Sequence, residues 1–132
     1  MMKKDIENRS DIEKLVNRFY EQVIADPTIG YLFNEVARVN WEKHLPVMYA
    51  FWENTLFFTG GYSGNPMAMH QQLHRMAALK QEHFQQWNRL FLSSVDELFS
   101  GEKAELAKQR ALSISTVMQL KILHPGQLTD LT

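Results

Sequence analysis

Apolar side chains recur every three or four residues along nearly the whole of this chain, and that period leaves room for little but helices. Ile12, Leu15, Val16, Phe19 and Val23 make one stripe. Trp41, Leu45, Met48, Trp52 and Leu56 make a second, at spacings of four, three, four and four. Phe84, Trp87, Phe91, Val95 and Leu98 make a third, and Ala107, Ala111, Ile114, Met118 and Ile122 a fourth. Each stripe buries one face of a helix. The alternating β-branched runs that a half-buried strand needs are absent.

The breaks between stripes set the boundaries. Ser10-Asp11-Ile12-Glu13 has the form of a capping box, so the first helix is expected to start at Ser10. Asp26-Pro27 closes it and can cap a short turn leading to Gly30-Tyr31-Leu32-Phe33. Pro46 would cost ~3 kcal/mol inside a helix but little in a first turn. The second long helix is therefore expected to begin near Lys43–Leu45, after a looser turn at Trp41. Gly60-Gly61-Tyr62-Ser63-Gly64-Asn65-Pro66 is the strongest breaker. A shorter helix should follow from Pro66 to Arg75, then a long one from Lys80 to Ser100 stopped by Gly101. The last helix should run from Glu102 to Leu123, ended by His124-Pro125-Gly126. With 132 residues, no repeat and no linker, the expectation is one all-α domain over residues 1–132.

Composition excludes several kinds of chemistry. There is no cysteine, so disulfide scaffolds, thiolate metal sites and thiol catalysis are ruled out. The net charge of −1 gives no basic excess for nucleic acid. No apolar run approaches the ~18 residues that cross a membrane. Met-Met-Lys-Lys-Asp-Ile-Glu has no apolar segment behind it, unlike a signal peptide. The cytoplasm is the expected location.

Five histidines and a heavy aromatic load remain. His70 and His74 stand four apart, so one helix face can carry both. No carboxylate or thiol accompanies them, so two surface histidines on a short helix are a better reading of the spacing than a zinc site. Phe19, Tyr20, Phe33, Phe51, Trp52, Phe84, Trp87 and Phe91 read first as an aromatic core. Tyr20 and Trp87 differ, because their polar atoms need partners when buried. With Phe19 in the central stripe, Tyr20 lies at its edge and can aim its hydroxyl into a cavity.

Five segments, in order, resemble the bacterial truncated haemoglobins, and the third group of that family most. They are Arg18-Phe19-Tyr20-Glu21, Tyr31-Leu32-Phe33-Asn34, His44-Leu45-Pro46-Val47-Met48-Tyr49-Ala50-Phe51-Trp52, Tyr62-Ser63-Gly64-Asn65-Pro66-Met67-Ala68-Met69-His70 and His83-Phe84-Gln85-Gln86-Trp87-Asn88-Arg89-Leu90-Phe91. The resemblance runs from Ser10 to Ile122. It implies a two-over-two helical sandwich around a b-type haem, with a histidine on the iron.

The resemblance also implies roles. His70 opens His70-Gln71-Gln72-Leu73 as the proximal motif does, whereas counting back from Phe84 favours His74. The two counts differ by about three residues between Leu73 and Leu79, and an insertion is cheaper in a loop than in a ligand-bearing helix. His70 is thus the implied metal ligand, with His74 near the haem edge or in solvent. Tyr20 and Trp87 are implied donors to a bound ligand. His44 stands at the distal histidine position, where gating, pointing to solvent and binding iron are all open to it. Met48 and Phe51 should line the distal wall, Phe33 should wedge the porphyrin, and Trp52 should lie in the core. Arg38, Lys43 and Arg75 are candidates for the propionates, while His83 and His124 are expected to be exposed and without function.

The implied function is binding of oxygen, nitric oxide, carbon monoxide or a small anion at a five-coordinate iron. Strong distal donors favour ligand handling or redox detoxification over bulk oxygen transport. Nitric-oxide or peroxide chemistry would need an external reductase. The alternatives are a six-coordinate bis-histidine protein for electron transfer or redox sensing, and a haem-free helical interaction module.

Overall fold

The structure, a computed structural model, describes residues 3–59 and 79–123. The glycine-rich breaker, the helix expected over Pro66–Arg75, and with it His70, His74 and Arg75, lie outside the described residues, as does His124. Four long helices carry the fold: α1 (Arg9–Ala25), α2 (Trp41–Phe57), α3 (Gln81–Leu98) and α4 (Glu102–Leu123). The described residues contain no strand.

Helix α1 starts two residues earlier than a Ser10 cap would place it. Asn8 is extended (φ −156°, ψ 179°), and its side chain accepts the Asp11 N–H at 3.0 Å. An extended residue with a short side-chain oxygen is what a free helix N–H needs, so Asn8 takes the cap and Ser10 falls inside the helix. The stripe Ile12, Leu15, Val16, Phe19 and Val23 is buried throughout, at roughly 1.5–3 kcal/mol per large side chain. Asp26 ends the helix, and its carboxylate accepts the N–H groups of Thr28 and Ile29 at 2.8 and 3.1 Å. The chain then doubles back so tightly that a Cβ on Gly30 would stand 2.7 Å from the Ile24 carbonyl oxygen. A π-turn, Leu32–Val36, follows.

Helix α2 begins at Trp41, with Pro46 inside it, and not near Lys43–Leu45. Its first turn is fixed from two sides. The Asn40 carbonyl accepts both the Lys43 and His44 N–H groups, at 3.1 and 2.9 Å. The Trp41 ring packs 5.0 Å from Tyr20 and stacks on Phe33 at 6.2 Å. Tertiary packing holds a helical turn that the proline alone would disfavour. Of its stripe, Trp52 and Leu56 are buried, while Trp41, Leu45 and Met48 are half-buried against the core.

Helix α3 ends two residues before Ser100, and α4 has its expected bounds. The buried face of α4 is Ala104, Ala107, Ala111, Ser115, Met118 and Ile122, with Ser115 in the buried row and Ile114 only partly covered. The Asp5 carboxylate caps α4, accepting the Lys103 and Ala104 N–H groups at 2.9 Å each. Gly101 lies in the left-handed half of the map (φ 143°), and a Cβ there would meet Asp5 Cγ at 2.5 Å.

Helix α1 packs on α2 and α3, and α4 packs on α3 and α2. The result is two helices laid over two, a two-over-two sandwich. Phe91 sits at its centre with no exposed surface. It stacks on Trp52 at 4.7 Å and on Trp87 at 5.8 Å, and meets Phe19 edge-on at 5.2 Å. Offset and edge contacts of this kind add to the burial of the rings themselves.

Candidate functional site

Tyr20 is buried, and its hydroxyl lies 3.2 Å from His44 Nε2. Helix α1 places it one residue past Phe19, off the centre of the stripe, so its ring lies at the edge of the core against Trp41 and His44 at the start of α2. The hydroxyl therefore meets an imidazole there. A buried hydroxyl with no partner costs ~1–3 kcal/mol, and His44 removes that cost. Burial pushes the Tyr20 pKa far above the ordinary tyrosine range, so the group stays an O–H. Trp41, Phe33 and His44 surround the Tyr20 ring at centroid distances of 5.0, 6.2 and 5.3 Å.

Phe33 links this pair to a cleft between the π-turn, α3 and α4. The cleft encloses about 40 Å³ and is partly open to solvent. Its walls are almost wholly apolar, with Leu32, Phe33, Phe84, Trp87 and Met118 among them. An apolar lining with few polar groups is the usual lining of a small-molecule site. Among the described residues, the polar ones in the wall are His83 and Ser115.

His83 is not exposed, as its polar sequence neighbours suggested; it is 8% exposed and forms part of the cleft wall. The reason lies in the helix start. His83 is the third residue after the cap Lys80, and its Nδ1 accepts the Lys80 N–H at 2.9 Å. This is the reciprocal bond of a capping box, made here by an imidazole in place of a carboxylate. Nε2 faces the Tyr31 hydroxyl at 3.4 Å. Burial, with the Lys80 charge adding to it and Glu82 opposing, lowers the His83 pKa and keeps the ring neutral.

The structure thus brings together Tyr20, His44 and Phe33, and sets Phe33 and Trp87 on one cleft. Met48 and Phe51 lie half-buried on α2 against the core, outside the cleft lining. Trp52 is buried. Arg38, at a positive φ of 49°, and Lys43 are exposed and outside that lining. Two cluster members were not singled out from sequence, Trp41 and Tyr31. Trp41 stands three residues before His44, a spacing that puts both on one helix face. Tyr31 gives no comparable signal, because the π-turn that aims it has no simple period. Among the described residues, no three side chains gather as a metal site, and no helix is long and apolar enough to cross a membrane.

Comparison with known proteins adds a lineage. The profile of the bacterial-like globins matches residues 5–122. The group 3 truncated hemoglobin ctb of Campylobacter jejuni is 31% identical over 128 residues, which covers 95% of this chain and 98% of that one. The crystal structure of the group III truncated hemoglobin from Campylobacter jejuni superposes with a TM-score of 0.79 at 30% identity, covering 92% of this chain and 95% of the other. THB1 of Chlamydomonas reinhardtii gives a TM-score of 0.66 at 28% identity, covering 80% and 85%.

Proposed function

This chain belongs to the bacterial-like globins and, within them, to the group III truncated haemoglobins, and from that premise we propose that it holds a b-type haem and handles a diatomic ligand there. The observation that carries the reading is the buried Tyr20, paired with the half-buried His44, beside an apolar, aromatic cleft. The residues fit the group. Phe33, Phe84 and Trp87 offer the flat apolar walls a porphyrin needs, and Tyr20 offers a donor that burial keeps protonated. His70 would hold the metal. When bound, haem iron supplies the centre on which a small gas can be held.

The protein decides how firmly that gas is kept. Tyr20 can donate to the ligand only if its hydrogen points away from His44. His44 must then carry its proton on Nε2 and donate to the Tyr20 oxygen. With the proton on Nδ1 instead, Nε2 accepts the Tyr20 hydrogen and withholds it from the ligand. The tautomer of His44 therefore sets whether the donor is available. Trp87 brings an indole N–H as a second donor. A hydrogen bond to a charged acceptor is worth ~1.5–3 kcal/mol, so two of them slow release markedly. Slow release supports ligand handling or redox detoxification over bulk transport. Sustained turnover would draw electrons from a separate reductase. The engagement of His44 Nε2 with Tyr20 supports a single histidine on the iron, not a bis-histidine pair.

The test is the visible absorption spectrum of the purified protein, as isolated and after dithionite, beside His70→Ala and His74→Ala. A strong Soret band that His70→Ala loses or shifts is expected. The same loss in His74→Ala would move the ligand to that residue. No Soret band, even with haem added, would sink the reading.

A further inference from the structure

We propose that His83 is an acid-sensitive latch at the start of α3: a proton on its Nδ1 releases the Lys80 N–H and undoes the joint that sets Leu79 and His83 in the cleft wall. The inference stands on the geometry of the cap and needs no ligand in the cleft.

Lys80 is extended (φ −120°, ψ 164°), and its N–H donates to His83 Nδ1 at 2.9 Å. The His83 N–H donates in return to the Lys80 carbonyl at 3.0 Å. Glutamate or glutamine is the usual residue at this place, and glutamine keeps its acceptor at every pH. Histidine does not. Nδ1 accepts only through its lone pair, and a ring protonated on both nitrogens has none. Turning the ring over presents a C–H to the amide and restores nothing. One proton therefore breaks the bond that closes the first turn of α3.

The surroundings decide when that happens. Among the described residues, Lys80 opposes the second proton and Glu82 favours it. The π-turn side adds the neutral Tyr31 hydroxyl, and α4 adds Ser115 and Met118, which carry no charge. Burial outweighs both charges, so the latch holds at neutral pH and opens below the ordinary histidine value of about 6.5. An imidazolium that is 8% exposed in an apolar wall, and has lost its cap partner, gains by moving toward water. Leu79, buried one residue before the cap, and Phe84, one residue after His83, line the same cleft. A joint that opens at Lys80 thus loosens the wall on that side. The Asp5 and Asp11 carboxylates have lowered pKa values and stay charged in this range, so the latch opens while the rest of the fold stays closed.

Hydrogen–deuterium exchange of the full-length protein tests this at pH 7.5 and pH 5. Each rate is divided by the intrinsic rate at its pH and read by mass spectrometry on peptides from the starts of α3 and α4. The NMR signal of the His83 Cε1–H follows its protonation in parallel. In wild type the start of α3 is expected to lose about fivefold of its protection at pH 5, the worth of one helix cap, while α4 keeps its own. His83→Gln retains an acceptor that does not titrate and should show no such loss. Unchanged wild-type protection once the ring is protonated would overturn the latch. So would a ring still neutral at pH 5, an equal loss in wild type and His83→Gln, or an equal loss in α3 and α4.

Discussion

Tyr20 and His83 are both buried polar side chains, and burial moves their pKa values in opposite directions to the same end. The phenol is pushed up and the imidazole down, so both stay neutral. For Tyr20 this fixes a donor, and its removal has a readable cost. Tyr20→Phe is expected to speed release of a bound diatomic ligand by ~10–100-fold, the worth of one hydrogen bond to a charged acceptor, in stopped-flow displacement. For His83 the sign follows from linkage. The unfolded chain, with a histidine near 6.5, binds a proton before the folded one does. Stability from the neutral ring is therefore full above that value and declines as pH falls through the lowered folded value. Urea midpoints taken from pH 7.5 to 5 should fall in wild type and fall less in His83→Phe. Part of this was legible: the stripe put Phe19 inside and Tyr20 at its edge. His83 was not, because Lys80, Gln81 and Glu82 are exposed polar neighbours and only the cap turns the imidazole inward.

At the scale of elements, two helix starts depart from what local sequence suggests, for different reasons. In α1 two cap candidates compete two residues apart, and the extended backbone falls to Asn8. Asn8→Ala should lower stability by about 1 kcal/mol, whereas Ser10→Ala should stay within a few tenths; thermal or urea unfolding separates the two. In α2 the cause is distant. Trp41 packs on Tyr20 and Phe33, two residues from earlier elements, and local propensity carries no trace of that contact. The start of α3 and both bounds of α4 were legible because Gly101 and the polar flanks leave little choice. In α4 the spacing chose Ile114 where Ser115 is the more buried, because the face that packs is turned by one residue from the apolar stripe and takes in Ser115 with Ala111 and Met118.

Over the whole molecule, period alone said that each helix hides one face, but not which faces meet. The two-over-two arrangement was legible only through resemblance. Its closure depends on the clasp between Asp5 and the start of α4. Burial by itself would raise the Asp5 pKa, but the N–H groups of Lys103, Ala104 and Ile6, with the Lys103 charge, bring it below the ordinary carboxylate range. Asp11 is opposed by burial in the same way and brought down by Lys4 and the Glu7 N–H. A carboxylate with a lowered pKa adds stability above its ordinary value, and that stability is lost as pH falls through the folded value. Acid unfolding of the wild type should therefore begin below about pH 4 from these two groups, and Asp5→Asn should unfold at higher pH in a circular-dichroism titration. Gly101→Ala, which puts a methyl group against Asp5 at an unfavourable φ, should cost more than ~1 kcal/mol at neutral pH.

The same clasp sets an order of events during synthesis. Asp5 and its partners Lys103 and Ala104 stand 98 and 99 residues apart. At roughly 5–20 residues per second, Asp5 waits roughly 5–20 s for them to be made. Ser115 and Met118, on the far wall of the cleft, come later still. Until α4 has been made, the cleft lacks the wall that Ser115 and Met118 supply. A guest thus finds no complete cleft until Met118 has been made.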